Sequence, residues 1–173
     1  MRAQLLLIPA ALVMAAPASA TIYMGVQDAQ DLLFPGATFT EHFVKLSDAQ
    51  AATVADNAHT SVYDAHVKAW RVSGKANGWV VLDQTQGKDD TITFAVAIDD
   101  NGAVQGVEIL ECLADYNTVT MPEWRAQFIG ETTREPKHVE MISGATLSSR
   151  HITDAVRRVL FVYDEVLKNA TPS

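Results

Sequence analysis

The segment from Ser143 to Ser149 combines small side chains, one glycine and several hydroxyls, and its first four residues lie directly before the longest predicted helix. Thr146 is predicted to be the N-cap of that helix, which would place its side chain at the positive end of the helix dipole. Backbone N–H groups at a helix start have no partner within the helix, and Gly144 lets a ligand approach them closely. The segment therefore predicts a site for an anion such as a phosphate. A capped helix start without a ligand is the alternative that this spacing leaves open.

Other residues that carry reactive or aromatic groups give less specific patterns. Cys112 is the single cysteine, so an intrachain disulfide is excluded and a buried small side chain is favoured over a redox thiol. The five histidines show no metal-ligand spacing, so no metal site is predicted. His151 lies in the first turns of the long helix, where it would approach a phosphate or ring oxygen, cap the helix or stay exposed. Tyr116 and Trp124 would either stack on a planar ligand or fill the core.

Hydrophobic periodicity predicts the elements that must position these residues. Residues 92–98 alternate between two faces, which predicts a strand, and Asn101-Gly102 predicts a hairpin turn into a return strand. Ser47 and Gln50 form a predicted capping box. The predicted helices are Val26–Phe34, Asp48–Ala58, Pro122–Phe128 and Leu147–Lys168, and the predicted strands are Thr38–Lys45, Val67–Val72, Trp79–Leu82, Thr91–Ile98 and Val104–Leu110. This order predicts a single α+β domain with a mostly antiparallel sheet and packed helices.

The first 20 residues are typical of a secretory signal peptide. Arg2 precedes an apolar stretch too short to span a bilayer, and Ala18-Ser19-Ala20 matches the small-x-small pattern that signal peptidase cleaves. The mature chain is expected to begin at Thr21, to remain soluble in the periplasm without membrane insertion, and to form one domain over residues 21–173. It would carry 12 basic and 21 acidic residues, a net charge of −9. That charge argues against nucleic acid and against an anionic membrane surface as partners.

Ser143-Gly144-Ala145-Thr146, with the acidic Glu140 six positions before the threonine and Ser148-Ser149 just after, resembles the flavinylation motif of FMN-binding domains. Such domains occur in the FMN-carrying subunits of sodium-pumping NADH:quinone oxidoreductase and of ferredoxin:NAD oxidoreductase complexes, and in small exported proteins. The usual acidic residue of the motif is Asp, so Glu140 is one methylene longer. The resemblance extends over Phe34-Pro35-Gly36-Ala37, Gly78-Trp79-Val80-Val81, Gly87-Lys88, the predicted hairpin, Trp124-Arg125-Ala126-Gln127-Phe128 and Arg150-His151-Ile152-Thr153-Asp154-Ala155-Val156.

The resemblance implies FMN attached covalently to Thr146 through a phosphoester, formed by a flavin transferase that uses FAD. It implies a transferase motif at Glu140 and cofactor contacts at Ser143, Gly144, Ala145, Leu147, Ser148, Ser149, His151, Glu111, Tyr116 and Trp124. The implied function is electron transfer with a membrane-bound or periplasmic redox protein. No set of nucleophile, base and orienting group is visible, so no catalytic residue is assigned and a carrier is favoured over an enzyme. A non-redox exported accessory or binding domain and a flavin-dependent reductase are the alternatives.

Overall fold

An antiparallel sheet of six strands forms the centre of the computed structural model, which describes residues 20–88, 90–113 and 118–170. The strands are β1 (Ala20–Ile22), β2 (Thr38–Lys45), β3 (His66–Ser73), β4 (Gly78–Gln86), β5 (Thr91–Asp99) and β6 (Val104–Leu113). The helices are α1 (Val26–Leu33), α2 (Asp48–Ala58), α3 (Pro122–Arg125) and α4 (Thr146–Val162). A 3₁₀ turn, Ala126–Phe128, follows α3, and a π-helical turn, Tyr163–Leu167, follows α4. The spatial order is β1-β6-β5-β4-β3-β2, with every neighbouring pair antiparallel, so the predicted α+β class is confirmed.

Both faces of the sheet are covered by helices. On one face, Ile92, Phe94 and Val96 of β5 belong to the same buried cluster as residues from α2 and α4. On the other face, Ala95 and Ala97 pack in a second cluster with residues of α1. Residues 92–98 are therefore all buried, although their alternation alone predicts only two distinct faces.

The β5–β6 hairpin is built as predicted around Asn101-Gly102. Gly102 has a φ of +86°, and its N–H donates to the carbonyl of Asp99 at 3.0 Å. The Asp99 carboxylate accepts the N–H groups of Asn101 and Ala103, each at 2.9 Å. This local network fixes the register of β5 against β6, and hence the end of the sheet at which β6 finishes.

The element boundaries differ from prediction where the local pattern lacks a clear stop. Helix α2 and its Ser47–Gln50 capping box match the prediction, because the box specifies that start by itself. The predicted helix over Leu147–Lys168 is in fact α4 from Thr146 to Val162, followed by the π-helical turn, and the predicted helix over Pro122–Phe128 divides into α3 and the 3₁₀ turn.

Strand β1 has no counterpart in the prediction. Three residues are too few to show an alternating pattern, and Thr21 and Ile22 enter the sheet only by pairing with Cys112 and Glu111 of β6. The first 19 residues of the predicted signal peptide lie outside the described residues. Within the described ranges, no helix is both long enough and apolar enough to span a membrane.

Two side chains of α4 tie this helix to the end of β4. Arg158, which is buried, donates to the Asp83 carboxylate at 2.8 Å and to the carbonyl of Gln84 at 2.9 Å. His151, which is half-buried, contacts the carbonyl of Gln86 through Nδ1 at 2.6 Å. These bonds fix where the N-terminal end of α4 lies relative to the sheet.

Candidate functional site

The loop before α4 ends in a tight turn that requires glycine. The N–H of Ala145 donates to the carbonyl of Ile142 at 3.0 Å, which closes a four-residue turn over residues 142–145. Gly144 is the third residue of this turn and has a φ of +85°, the left-handed value that a type II turn needs at that position. A Cβ built on Gly144 would have no heavy atom within 4 Å, so the requirement is backbone conformation and not space.

The prediction that Thr146 caps α4 is wrong. The N-cap is Ala145, and Thr146 is the first residue of the helix. The turn over residues 142–145 closes at Ala145, which therefore becomes the last non-helical residue. Alanine has no side-chain acceptor, so no side chain caps the first turn of α4. The N–H groups of that turn remain suited to an anion, as the sequence predicts, because no side chain caps them.

Thr146 itself is exposed, and its hydroxyl donates back to the carbonyl of Ile142 at 3.3 Å. This bond holds the side chain close to the loop and directs the hydroxyl hydrogen toward it. The lone pairs of the oxygen are thereby left free, which is the arrangement that an acceptor or a nucleophile needs.

The three residues after Thr146 have different surroundings. Leu147 is 51% exposed beside the threonine. Ser149 is buried; its Oγ accepts the N–H of Ile142 at 3.3 Å and lies 3.0 Å from the carbonyl of Ala145, so it locks the loop onto the helix. Ser148 is 1% exposed, and its hydroxyl has no hydrogen-bond partner among the described residues. An unpaired buried hydroxyl is costly, which makes Ser148 a candidate to meet a polar ligand atom.

Glu140 presents an exposed side chain on a fixed backbone. Its N–H donates to Oε1 of Gln127 at 2.9 Å, and its carbonyl accepts Nε1–H of Trp124 at 2.8 Å. The 3₁₀ turn and α3 therefore hold the chain just before the loop. Gln127 was not among the predicted site residues, although its place within the Trp-Arg-Ala-Gln-Phe segment was a signal that could have identified it.

The ring of Trp124 lies in the core. Its residue is 5% exposed, and the ring packs edge-to-face on Phe128 with 5.2 Å between centroids. Of the two roles that the sequence leaves open for this aromatic residue, the described structure shows the core role. Its link to the site is the hydrogen bond to Glu140.

His151 and Glu111 lie at the same end of the sheet. The carbonyl of His151 accepts the Thr85 hydroxyl at 3.4 Å, while its Nδ1 donates to Gln86, so the ring joins α4 to the end of β4. Glu111 is half-buried on β6, in register with Thr93 of β5. Tyr116, the remaining predicted contact, lies outside the described residues.

An opening of about 240 Å³ lies beside His151 at this end of the sheet. It is lined by Tyr63, Gln84, Thr85, Gln86 and Thr91. These residues come from β4, from the start of β5 and from the loop before β3, and none of them was predicted as a site residue. Their shared location becomes visible only once the strands are paired.

Cys112 is fully buried on β6, and burial raises the pKa of its thiol. A thiol with a raised pKa and no solvent access is a poor nucleophile. The cysteine therefore behaves as a small core residue, as favoured from the sequence.

Residues 87–160 match the family model of the FMN-binding domain. This part of the chain is an FMN-binding domain. The matched segment begins at the end of β4 and contains β5, β6, α3 and most of α4, so it includes the turn at Gly144 and Thr146. No curated protein matches the sequence.

The match over residues 87–160 supports flavin binding by this part of the chain. The described site suits the phosphate end of FMN on three counts: the first turn of α4 has no side-chain cap, the Thr146 hydroxyl is exposed, and the buried Ser148 hydroxyl has no partner. The segments Phe34–Ala37 and Gly78–Val81, which also carry the resemblance, lie outside the matched residues.

Proposed function

We propose that this protein is a periplasmic electron-transfer flavoprotein that carries FMN on Thr146 through a phosphoester. The observation that carries the proposal is the exposed Thr146 hydroxyl on the uncapped N-terminus of α4, inside the segment that matches the FMN-binding domain. An ester at this position would put phosphate oxygens beside backbone N–H groups and the positive end of a helix dipole.

Each residue of the loop has a distinct part in holding the phosphate. Gly144 supplies the turn that lets the chain enter α4 without a capping side chain, and Ser149 keeps that turn against the helix. Ser148 offers a hydroxyl that lacks a partner, and Leu147 offers exposed apolar surface next to the ester. When bound, FMN supplies the reversible uptake and release of electrons.

Attachment requires a flavin transferase that uses FAD. Thr146 Oγ1 would form the bond to the phosphorus of the flavin half, the pyrophosphate bond would break, AMP would leave, and the hydroxyl proton would pass to solvent or to the transferase. Glu140 is exposed six residues earlier on a backbone held by Trp124 and Gln127, so an enzyme can reach both positions on one rigid surface.

A carrier fits this site better than an enzyme with its own substrate. The ester would consume the hydroxyl of Thr146, the one nucleophile that this proposal assigns in the described part of the site. The redox chemistry then belongs to the cofactor, and the protein supplies attachment and access. The predicted signal peptide would direct such a carrier to the periplasm, where a membrane-bound or periplasmic redox protein would exchange electrons with it.

Intact mass after co-expression with a flavin transferase tests the proposal. We expect the wild-type protein to gain the mass of FMN less one water, and to gain it only when the transferase is present. Thr146→Ala should abolish the gain and Thr146→Ser should retain part of it, because an ester requires a hydroxyl. Thr53→Ala, which removes an exposed threonine hydroxyl from α2 outside the site, is the matched control and should be modified as the wild type is.

Two results would overturn the proposal. A Thr146→Ala protein that still carries covalent flavin would place the ester elsewhere. A wild-type protein that stays unmodified with an active transferase would favour the non-redox accessory domain.

A further inference from the structure

Strand β2 forms one edge of the sheet. Among the described residues it pairs with β3 alone, over all eight positions from Thr38 to Lys45. The opposite edge, β1, has three residues. A long unpaired edge is a template for a further strand, and short strands and charged residues are the usual protection. The two edges therefore differ, and β2 is the one that needs an explanation.

Three side chains of β2 form a symmetric pattern on one face of the sheet. Glu41, Phe43 and Lys45 are exposed and lie at alternate positions, opposite Trp70, Lys68 and His66 of β3. The Phe43 residue is 53% exposed, and its ring packs edge-to-face on Trp70 at 5.2 Å between centroids. An exposed aromatic ring thus lies between a negative and a positive side chain, two residues away from each.

This pattern is complementary to itself. In an antiparallel pair related by a twofold axis at Phe43, that ring faces its own copy, and Glu41 of each chain faces Lys45 of the other. Such cross-strand aromatic and opposite-charge pairs stabilise a sheet. On the other face of the same register, His42 faces Val44 of the second copy.

The same charges disfavour the neighbouring registers. An axis at Glu41 would put two carboxylates opposite each other, and an axis at Lys45 would do the same with two ammonium groups. An axis at His42 or Val44 would set Phe43 against a charged side chain. An axis midway between two residues would place residues whose N–H and C=O groups point toward the partner strand opposite residues whose N–H and C=O groups point away from it. One register therefore satisfies both the charges and the apolar ring.

We propose that β2 is a self-association surface, and that a second copy of this chain pairs with it about a twofold axis at Phe43. The sheet then continues from one copy into the other. The twofold axis closes the assembly, because the β2 edges of both copies are used in the pair. The proposal does not depend on flavin attachment.

The test measures oligomeric state by sedimentation velocity over a range of concentrations, on protein purified after expression of the whole 173-residue sequence. We expect a concentration-dependent dimer. Glu41→Lys and Lys45→Glu each turn both attractive pairs into repulsive ones, so each should weaken the dimer by about tenfold or more. Lys75→Glu and Glu165→Lys, two exposed positions outside β2, reproduce the changes of net charge and should leave dimerisation as in the wild type.

Mixing the two β2 variants makes the test independent of folding defects. A Glu41→Lys chain presents two lysines and a Lys45→Glu chain presents two glutamates, so an equimolar mixture should form heterodimers when neither variant forms homodimers. The double variant E41K/K45E should dimerise again. A wild-type protein that is monomeric at all concentrations, or a dimer that none of these substitutions alters, would overturn the proposal.

Discussion

At the scale of single residues, substitutions at Gly144 distinguish a requirement for a particular backbone conformation from a requirement for space. The sequence predicts that Gly144 lets a ligand approach the helix start closely; in the structure no heavy atom lies within 4 Å of a Cβ built at this position, and its φ of +85° is the constraint. We therefore expect flavin attachment to fall in the order Gly, Asn, Ala, Val at this position. Asn tolerates positive φ better than Ala, and a β-branched residue tolerates it least.

The yield of covalent flavin in each Gly144 variant, measured by fluorescence of the denatured protein, checks this order. If Ala and Asn were equal to glycine and only Val failed, side-chain size would be the constraint and the role given to the turn would be wrong.

Glu131 is a buried acid outside the cofactor site. Its side chain has 0% exposure, and its nearest cation is Nη2 of Arg157 at 3.7 Å. Burial raises the pKa of Glu131, and the charges of Arg157 and Lys137 lower it by less. The native state therefore binds more protons than the unfolded state, so this group makes the free energy of unfolding decrease as the pH rises above about 4.3, the ordinary pKa of glutamate.

Glu131→Gln should remove that decrease, because an amide does not titrate. We expect the variant to gain stability relative to the wild type as the pH rises, in urea denaturation at several pH values. Glu165→Gln, at an exposed acid, should follow the wild-type curve. A Glu131→Gln curve parallel to that of the wild type would show that the acid is equally protonated in both states.

At the scale of elements, α3 acts as the support of the attachment loop. Trp124→Phe keeps an aromatic ring against Phe128 but removes the donor to the Glu140 carbonyl. Loss of one hydrogen bond should cost about 0.5–1.5 kcal/mol of unfolding free energy. The rate of flavin attachment should fall further than this loss of stability accounts for, because the loop loses its anchor.

Trp79→Phe, at another buried tryptophan of the same core cluster, is the matched control for the loss of aromatic volume. Attachment rates with purified transferase and denaturant curves separate the two effects. Equal rates in the two variants would limit Trp124 to a packing role.

Sequence patterns predicted the elements whose boundaries are determined by residues within them. They missed the elements whose existence or boundaries depend on other parts of the chain. The capping box at Ser47 and the hairpin at Asn101-Gly102 each act within a few residues, so the pattern was sufficient there. Strand β1 exists only through its pairing with β6. The start of α4 depends on a turn that closes at Ala145, one residue before the predicted cap at Thr146.

At the scale of the whole molecule, charge governs how the proposed carrier meets its partners. A net charge of −9 on the expected mature chain should steer it toward a basic surface on the electron donor. Salt screens such attraction over about 8–10 Å, so the rate of reduction should decrease as ionic strength rises. Stopped-flow reduction of the flavinylated protein by its donor at several salt concentrations measures this. A rate that is flat or rises with salt would indicate a permanent subunit of a larger complex.

The site could be predicted from the sequence only as far as it is contiguous. Residues 143–149 act as one segment, and their position before a long helix was predicted. Gln127 holds Glu140, just before this segment, and Asp83 and Gln86 hold α4. Such pairs are distant in sequence and are created by tertiary packing, for which periodicity contains no information.

The position of α4 after the strands in the sequence sets an order of events during synthesis. Ile92, Phe94 and Val96 are made about sixty residues before the helical residues Ile152 and Val156 that share their cluster. Until the ribosome has released the residues of α4, one face of the sheet lacks the cover that this helix provides, and a growing chain in that state needs protection from aggregation. Because Thr146 is the first residue of the same helix, the attachment loop takes its final form at the moment when the core closes. A polypeptide that ends before α4 therefore lacks both the part of the cover that α4 provides and the helix start that carries Thr146.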